Sequence, residues 1–386
     1  MRPDTEVLHR GEGAREGASP LNTPVYATST FVFANAAELE AFNQGRSNKY
    51  LYSRYANPTV QAVEEKLAVL EGAEAALVTS SGMAATSTAL FGLLQAGDEV
   101  ICSAAIYGGT LHVITDFLER FGVASRFASL EELAKPECLI GQKTKVVWFE
   151  SPNNPTLRCV DIARVATACR AKGVISAIDN TFASPINQQP ISLGVDLVMH
   201  SATKYLNGHS DVTAGALVGS RKLIGALQPA RRLFGGVLEP ASAYALARGM
   251  KTLSLRIARQ NESSLRIAQS LEKHPRVSRV FHPGLSSHPD HAIAKKQMKG
   301  FGGMVTFEAA GGFDAACRFY DRIKVIKRAA SLGGTESLCS LPVLTSQYGL
   351  NDEQLAAAGV TKGMVRVSVG LEDAEDLIAD LNQALG

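Results

Sequence analysis

Short apolar runs that end in polar residues, separated by stretches of helical periodicity, constrain this chain more than any other feature. The runs lie at 75–78, 100–102, 145–149, 174–178 and 195–199. Each is mostly apolar and too short for a helix, so each reads as a strand buried on both faces. Helical patterns lie between them: Val60, Val63, Leu67 and Leu70 lead up to Gly72, followed by 84–94 and 162–172. Strands alternating with helices predict an α/β fold, a large mostly parallel sheet sandwiched by helices. Such sheets bind ligands at the carboxyl ends of their strands.

Two of those ends carry complementary chemistry. The run at 195–199 continues through His200, Ser201 and Thr203 to Lys204. An ammonium beside an apolar strand end is costly to bury unpaired. The same burial lowers a lysine's pKa and frees its amine to attack a carbonyl. The preceding run ends in Asp179. An Asp-Asn pair there could be a plain turn former, but a carboxylate and a lysine on successive strand ends face one crevice. A pyridinium nitrogen wants the carboxylate and an aldehyde wants the lysine. The pair points to pyridoxal 5'-phosphate (PLP), with Lys204 as the Schiff-base lysine and Asp179 on the ring nitrogen. Ser201 and Thr203 offer hydroxyls for the phosphate. Ser81, Gly82 and Met83 open a helix directly after a strand, so bare backbone N–H groups there suit a phosphate as well.

Composition removes several other classes. The chain has 39 basic and 37 acidic residues for a net charge of +2, so nothing advertises a nucleic acid or an anionic membrane. No apolar run approaches the ~20 residues that span a bilayer, and the first residues lack a signal-peptide core. The six cysteines form no CxxC pair and no metal-ligand spacing, which fits a reducing, cytoplasmic setting and no metal. No GxGxxG follows a strand and no GxxxxGK[ST] is present, which disfavours nucleotide binding. His209-Ser210-Asp211 is a turn, because adjacent residues cannot take up triad geometry.

The motifs DNTFASP, HSATKYLNGHSD, YSRYANPT, SSGMAA and SLGGTESL occur in that form in this chain. Together they resemble the PLP-dependent enzymes of cysteine and methionine metabolism, the cystathionine γ-synthases and lyases, methionine γ-lyases and O-acylhomoserine sulfhydrylases. The likeness runs from about residue 20 to the last residue. It implies fold type I of the PLP-dependent enzymes. An N-terminal arm at 1–55 contacts a neighbouring subunit, a large PLP-binding domain spans 56–245, and a smaller α+β C-terminal domain spans 246–386. It also implies a homotetramer and a small amino-acid substrate.

By the same resemblance Tyr52 and Arg54 bind the phosphate of the adjacent protomer's cofactor, and Tyr52 also meets substrate. Tyr107 stacks on the pyridine ring and shuttles a proton to the leaving group. Asn154 lies near the ring oxygen and the substrate carboxylate, and Ser331 meets both Lys204 and substrate. Arg366 sits in a strand pattern, VRVSVG, where an unpaired guanidinium is costly and a bidentate clamp for an α-carboxylate is apt. Expected elements of the last domain are a long helix at about 241–273, strands at 277–281, 304–307, 324–327 and 364–369, and helices at 314–322 and 374–385.

The likeness has departures. Methionine γ-lyases typically have a cysteine two residues after the tyrosine matching Tyr107, and here stands Gly109. Cystathionine γ-enzymes often place a glutamate where Ala330 precedes Ser331. A threonine-histidine pair is common where Thr345 is followed by Ser346 and Gln347. The expected activity is carbon–sulfur β- or γ-elimination, with γ-replacement on an acylated homoserine as the alternative. A transaminase of the same fold and a non-catalytic PLP-binding protein are the readings from other classes.

Overall fold

The structure, a computed structural model, describes residues 2–10 and 20–386. It is a mixed α/β protein with two sheets. The first has seven strands: β1 (Ala75–Thr79), β2 (Glu99–Ser103), β3 (Ala124–Ala128), β4 (Thr144–Glu150), β5 (Ile175–Asp179), β6 (Leu197–His200) and β7 (Gly215–Gly219), in the order β1-β7-β6-β5-β4-β2-β3. Strands β2 to β6 are parallel to one another, and β7 runs antiparallel to both β6 and β1. The second sheet has five strands: β8 (Val277–Phe281), β9 (Met304–Ala309), β10 (Lys327–Arg328), β11 (Leu338–Ser340) and β12 (Met364–Ser368), in the order β10-β11-β12-β9-β8.

The large sheet is buried on both faces. Val147, Phe149 and Ile178 pack into one apolar layer, while their neighbours Val146, Trp148 and Ala177 pack into the other. That is the period of two expected of a strand covered on each side. The covering helices include Pro58–Glu71, Gly82–Leu93 and Ile162–Lys172. Each starts on a side-chain cap: Asn57 accepts from Thr59, Ser81 from Ala84 and Asp161 from Arg164. The first and third end on Gly72 and Gly173, both left-handed.

Several elements differ from the sequence expectation. Within the stretch read as an arm, Pro3–His9 is a helix. Val7 is buried, and the buried Lys66 amine donates to the carbonyls of Val7 (2.9 Å) and Arg10 (2.6 Å). A second helix, Ala36–Asn43, also lies in the expected arm, whose residues 1 and 11–19 fall outside the described residues. The long helix expected at 241–273 is two helices, Pro240–Met250 and Leu253–Glu272. The strand expected at 324–327 shrinks to Lys327–Arg328. The cause is Asp380, whose carboxylate accepts the backbone N–H groups of Lys324, Val325 and Ile326 at 2.8, 2.9 and 3.0 Å and draws them out of any ladder.

Arg256 ties the second sheet's elements to the Lys204 loop. It projects from the helix Leu253–Glu272 and donates to the carbonyls of Tyr205 (2.8 Å) and Gly249 (2.8 Å). Gly208, at φ +72, leaves room for it, since a Cβ there would lie 1.9 Å from the guanidinium. Among the described residues no helix is long and apolar enough to cross a membrane, and all six cysteines are unpaired.

Asp380 yields a prediction. Burial works to raise its pKa, but the three backbone N–H bonds outweigh it and hold the carboxyl below its usual value. A depressed folded-state pKa stabilises above the unfolded value of about 3.9 and loses that contribution as pH falls through the folded value. Asp380→Asn is expected to cost about 1–3 kcal/mol at neutral pH. Thermal midpoints measured from pH 7 down to pH 3 should show the gap between the two proteins narrowing with acid.

Candidate active site

The parallel register puts three strand ends side by side. Glu150 at the end of β4 pairs with Asp179 at the end of β5, and Asp179 pairs with Met199 near the end of β6. These ends open into a cavity of about 600 Å³ between the two sheets. Its lining includes Lys204, Asp179, Ser201 and Thr203 from the large sheet's loops, Tyr107 and Asn154 from the loops after β2 and β4, and Ser331 and Arg366 from the smaller sheet's side. Ser81, Gly82 and Met83 close it at the N-terminus of the helix Gly82–Leu93. Eleven residues expected at the site (81, 82, 83, 107, 154, 179, 201, 203, 204, 331 and 366) therefore converge on one cavity.

Tyr52 and Arg54 do not line it. Arg54 donates to the carbonyl of Arg232 (2.9 Å), and its guanidinium lies over the ring of Tyr55, 4.9 Å from the centroid. Tyr52 is 41% exposed. Both therefore lie outside the cavity of their own chain. Of the departures from the family pattern, Ala330 and Ser346 line the cavity, while Gln347 is buried outside it. A Cβ at Gly109 would lie 2.6 Å from the Tyr107 ring and 2.7 Å from the sulfur of Met83. The glycine thus lets the tyrosine ring settle against Met83.

Lys204 is held by the opposite side of the cavity. Its Nζ donates to Ser331 Oγ at 2.8 Å. Ser331 adopts φ +89, a left-handed conformation that a serine seldom takes. Behind it, Gly333 presses on the lysine's own loop, with an added Cβ meeting the Tyr205 nitrogen at 2.7 Å. Burial, reinforced by the Arg366 charge and opposed by Asp179, brings the Lys204 amine down to about 8. Arg366 is fully buried on β12, and burial lowers its pKa to about 10. It donates to Asn154 Oδ1 (2.9 Å) and to the Ser331 carbonyl (3.2 Å), so it is oriented without a carboxylate partner. A guanidinium without a carboxylate, aimed into a cavity, is a place for one.

Asp179 accepts from the backbone N–H of Thr181 (3.0 Å) and from its hydroxyl. The same hydroxyl accepts the N–H of Ser201 at 2.8 Å, which ties the two strand ends together. Glu150 accepts the N–H of Tyr107 at 2.7 Å. Burial raises the pKa of both acids, and each carboxylate opposes ionisation of the other. Thr181, His200 and Lys204 all favour the charged form of Asp179. Neither Glu150 nor Thr181 was singled out in the sequence. Their only signal was position, each next to a strand end that carries chemistry.

The residues fit PLP on the structure's own terms. The amides of Ala84 and Ala85 bond back to Ser81, while Gly82 and Met83 precede any intrahelical acceptor. A Cβ at Gly82 would lie 2.9 Å from Ser201 Oγ, so only glycine leaves this cradle open. A phosphate cradle, a desolvated amine, a buried carboxylate and a guanidinium with no carboxylate partner among the described residues match the phosphate, the aldehyde, the ring nitrogen and an amino-acid carboxylate respectively. Thr203 is the weakest fit, because its hydroxyl donates to the Ala214 carbonyl and accepts the Ala214 N–H. Among the described residues no group of three or more histidine, cysteine or acidic side chains could hold a metal ion.

Comparison with known proteins gives a consistent result. The family model for "Cys/Met metabolism PLP-dependent enzyme" matches residues 4–386. The chain is 42% identical over 382 residues to cystathionine gamma-synthase 1, chloroplastic, of Arabidopsis thaliana, covering 98% of this chain and 68% of that one. It is 41% identical over 384 residues to L-methionine gamma-lyase of Fusobacterium nucleatum subsp. polymorphum, covering 99% and 97%. The crystal structure of cystathionine gamma-lyase from Lactobacillus plantarum complexed with L-serine superposes with a TM-score of 0.93 at 37% identity, covering 100% and 98%.

The lowered amine pKa is testable without substrate. A lysine is reactive as the free amine, so the fraction available rises with pH through the folded-state value. With the cofactor stripped, Lys204 is expected to capture an added aldehyde with a rate that reaches half its maximum near pH 8. Borohydride trapping followed by peptide mapping reads this directly. A midpoint near the ordinary lysine value would contradict the desolvated placement.

Proposed function

The chain belongs to the family of Cys/Met metabolism PLP-dependent enzymes, and from that premise we propose that it is a carbon–sulfur lyase. It acts on cystathionine or a related sulfur amino acid and releases a thiol, ammonia and a 2-oxo acid. The observation that carries this reading is Lys204: a desolvated amine, hydrogen-bonded to Ser331, in one cavity with Asp179 and Arg366.

Bound there, PLP supplies an aldehyde and a pyridine ring that accepts electrons from a substrate carbon. Asp179 would meet the ring nitrogen and hold a proton there. Arg366, oriented by Asn154, clamps the substrate's α-carboxylate, and this fixes which bond at Cα lies within reach of the amine. Lys204, once freed, takes the Cα proton; placement of this kind is worth about 7–11 kcal/mol of barrier. For a γ leaving group Lys204 also takes a proton from Cβ. The Tyr107 hydroxyl gives a proton to the departing sulfur. Ser331 keeps the lysine aligned between these transfers.

A γ-replacement reaction on an acylated homoserine is the second reading. It is favoured by Ala330, which places no carboxylate beside Ser331 to meet the distal ammonium of cystathionine, and by the synthase relative. The working enzyme is a homotetramer whose active dimers share sites, with Tyr52 and Arg54 reaching the neighbour's phosphate; their place outside their own cavity supports this. Its setting is the cytoplasm, in keeping with six unpaired cysteines.

Purified protein loaded with PLP and given L-cystathionine should yield a 2-oxo acid. 2-Oxobutyrate identifies γ-elimination and pyruvate β-elimination. No oxo acid, but thioether formation from an O-acylhomoserine and a thiol, would replace the lyase reading with the synthase one. Lys204→Ala is expected to abolish turnover of either kind. If sites are shared, co-expression of inactive Lys204→Ala and Arg54→Ala chains should restore part of the activity through mixed dimers, and no recovery would remove the shared-site reading.

A further inference from the structure

Beneath the cavity lies a buried hydrogen-bonded pair that the reaction above does not use. Glu71 and His200 are both about 1% exposed, and His200 Nε2 lies 2.5 Å from Glu71 Oε1. Glu71 is the last residue of the helix Pro58–Glu71. A carboxylate at a helix C-terminus opposes the helix dipole, and a carboxylate out of water is costly as well. Its second oxygen has no hydrogen-bond partner. An apolar pair of similar volume would serve stability as well or better. The placement therefore calls for a reason other than packing.

The reason lies in what the pair holds. Glu71 Oε1 also accepts from Asn180 Nδ2 at 3.1 Å. Asn180 directly follows Asp179, and His200 directly precedes Ser201 and ends β6. One carboxylate oxygen thus grips the ends of β5 and β6 immediately outside the residues that face the cofactor. The grip extends to β4: Gln188 donates to Asn180 Oδ1 (2.8 Å) and to the carbonyl of Ser151 (2.7 Å), the residue after Glu150. Three charged or titratable groups face Asp179. Glu150 opposes its ionisation, while His200 and Lys204 favour it. His200 is held in place beside Asp179 by its bond to Glu71.

We propose that Glu71 and His200 are a positioning pair for Asp179, fixing the two strand ends behind the carboxylate that meets the cofactor's ring nitrogen. The pair touches neither substrate nor cofactor and acts through Asp179. This inference rests on PLP binding as read above.

The test uses holoenzyme and two near-isosteric variants. Glu71→Gln keeps an acceptor for Asn180 but removes the charge. His200→Gln keeps an N–H donor for Glu71 but removes the imidazole ring. The readouts are the pH midpoint at which the bound cofactor's visible band changes, the affinity of the stripped protein for PLP, and the thermal midpoint. Both variants are expected to shift the band's midpoint and to weaken PLP binding about tenfold. The double variant should be little worse than either single one, because the pair acts as a unit. A lowered thermal midpoint with wild-type band and affinity would show a merely structural pair and overturn the proposal. So would fully additive losses in the double variant. If Glu71→Gln does not fold, His200→Gln alone decides on band and affinity. A wild-type protein that takes up no PLP would instead remove the functional reading itself, an outcome distinct from either of these.

Discussion

The site depends on the parallel register of β4, β5 and β6. Parallel strands deliver their carboxyl ends to one rim of a sheet, and here the register aligns Glu150, Asp179 and Met199 across it. A slip of one residue would turn Asp179 towards the opposite apolar layer and leave a carboxylate among Val147, Phe149 and their neighbours. The alternation of Val146, Val147, Trp148 and Phe149 between two apolar layers fixes that register. The hydrophobic effect therefore sets the geometry at the cavity's rim.

A second constraint is imposed from across the cavity. The large sheet supplies the amine and the carboxylate, and the smaller sheet's side supplies Ser331 and Arg366. Ser331 accepts the bond from Lys204, and Arg366 adds a like charge that helps lower the amine's pKa. Arg256, from the same side, holds the lysine loop's carbonyls at Tyr205.

Much of this was legible in the sequence because it rests on local pattern. The runs that became β1, β2, β4, β5 and β6 are apolar on both faces, and Lys204 and Asp179 were conspicuous as ionisable groups at such ends. Strand β3 was missed because it is an edge strand, where Ser125 and Arg126 need no apolar replacement. Strand β7 was missed because Gly215 and Gly219 bracket only three other residues. Gly215 has its own reason: a Cβ there would lie 2.1 Å from the Ser81 carbonyl. The break after Met250 was hidden because Gly249 answers to the distant backbone of Asn207, 2.2 Å from where its Cβ would stand. Glu71 and His200 meet across 129 positions of sequence, and no local period announces such a meeting.

The contact of Gly333 with the Lys204–Tyr205 backbone makes the two sheets' elements one mechanical part at the point of reaction. The amine's hydrogen-bond acceptor, its electrostatic neighbour and its backbone buttress all come from the far side of the cleft. Nucleophilicity is thus a property of the closed pair, not of either half. Separating the halves would expose the lysine to water and remove the burial that lowers its pKa.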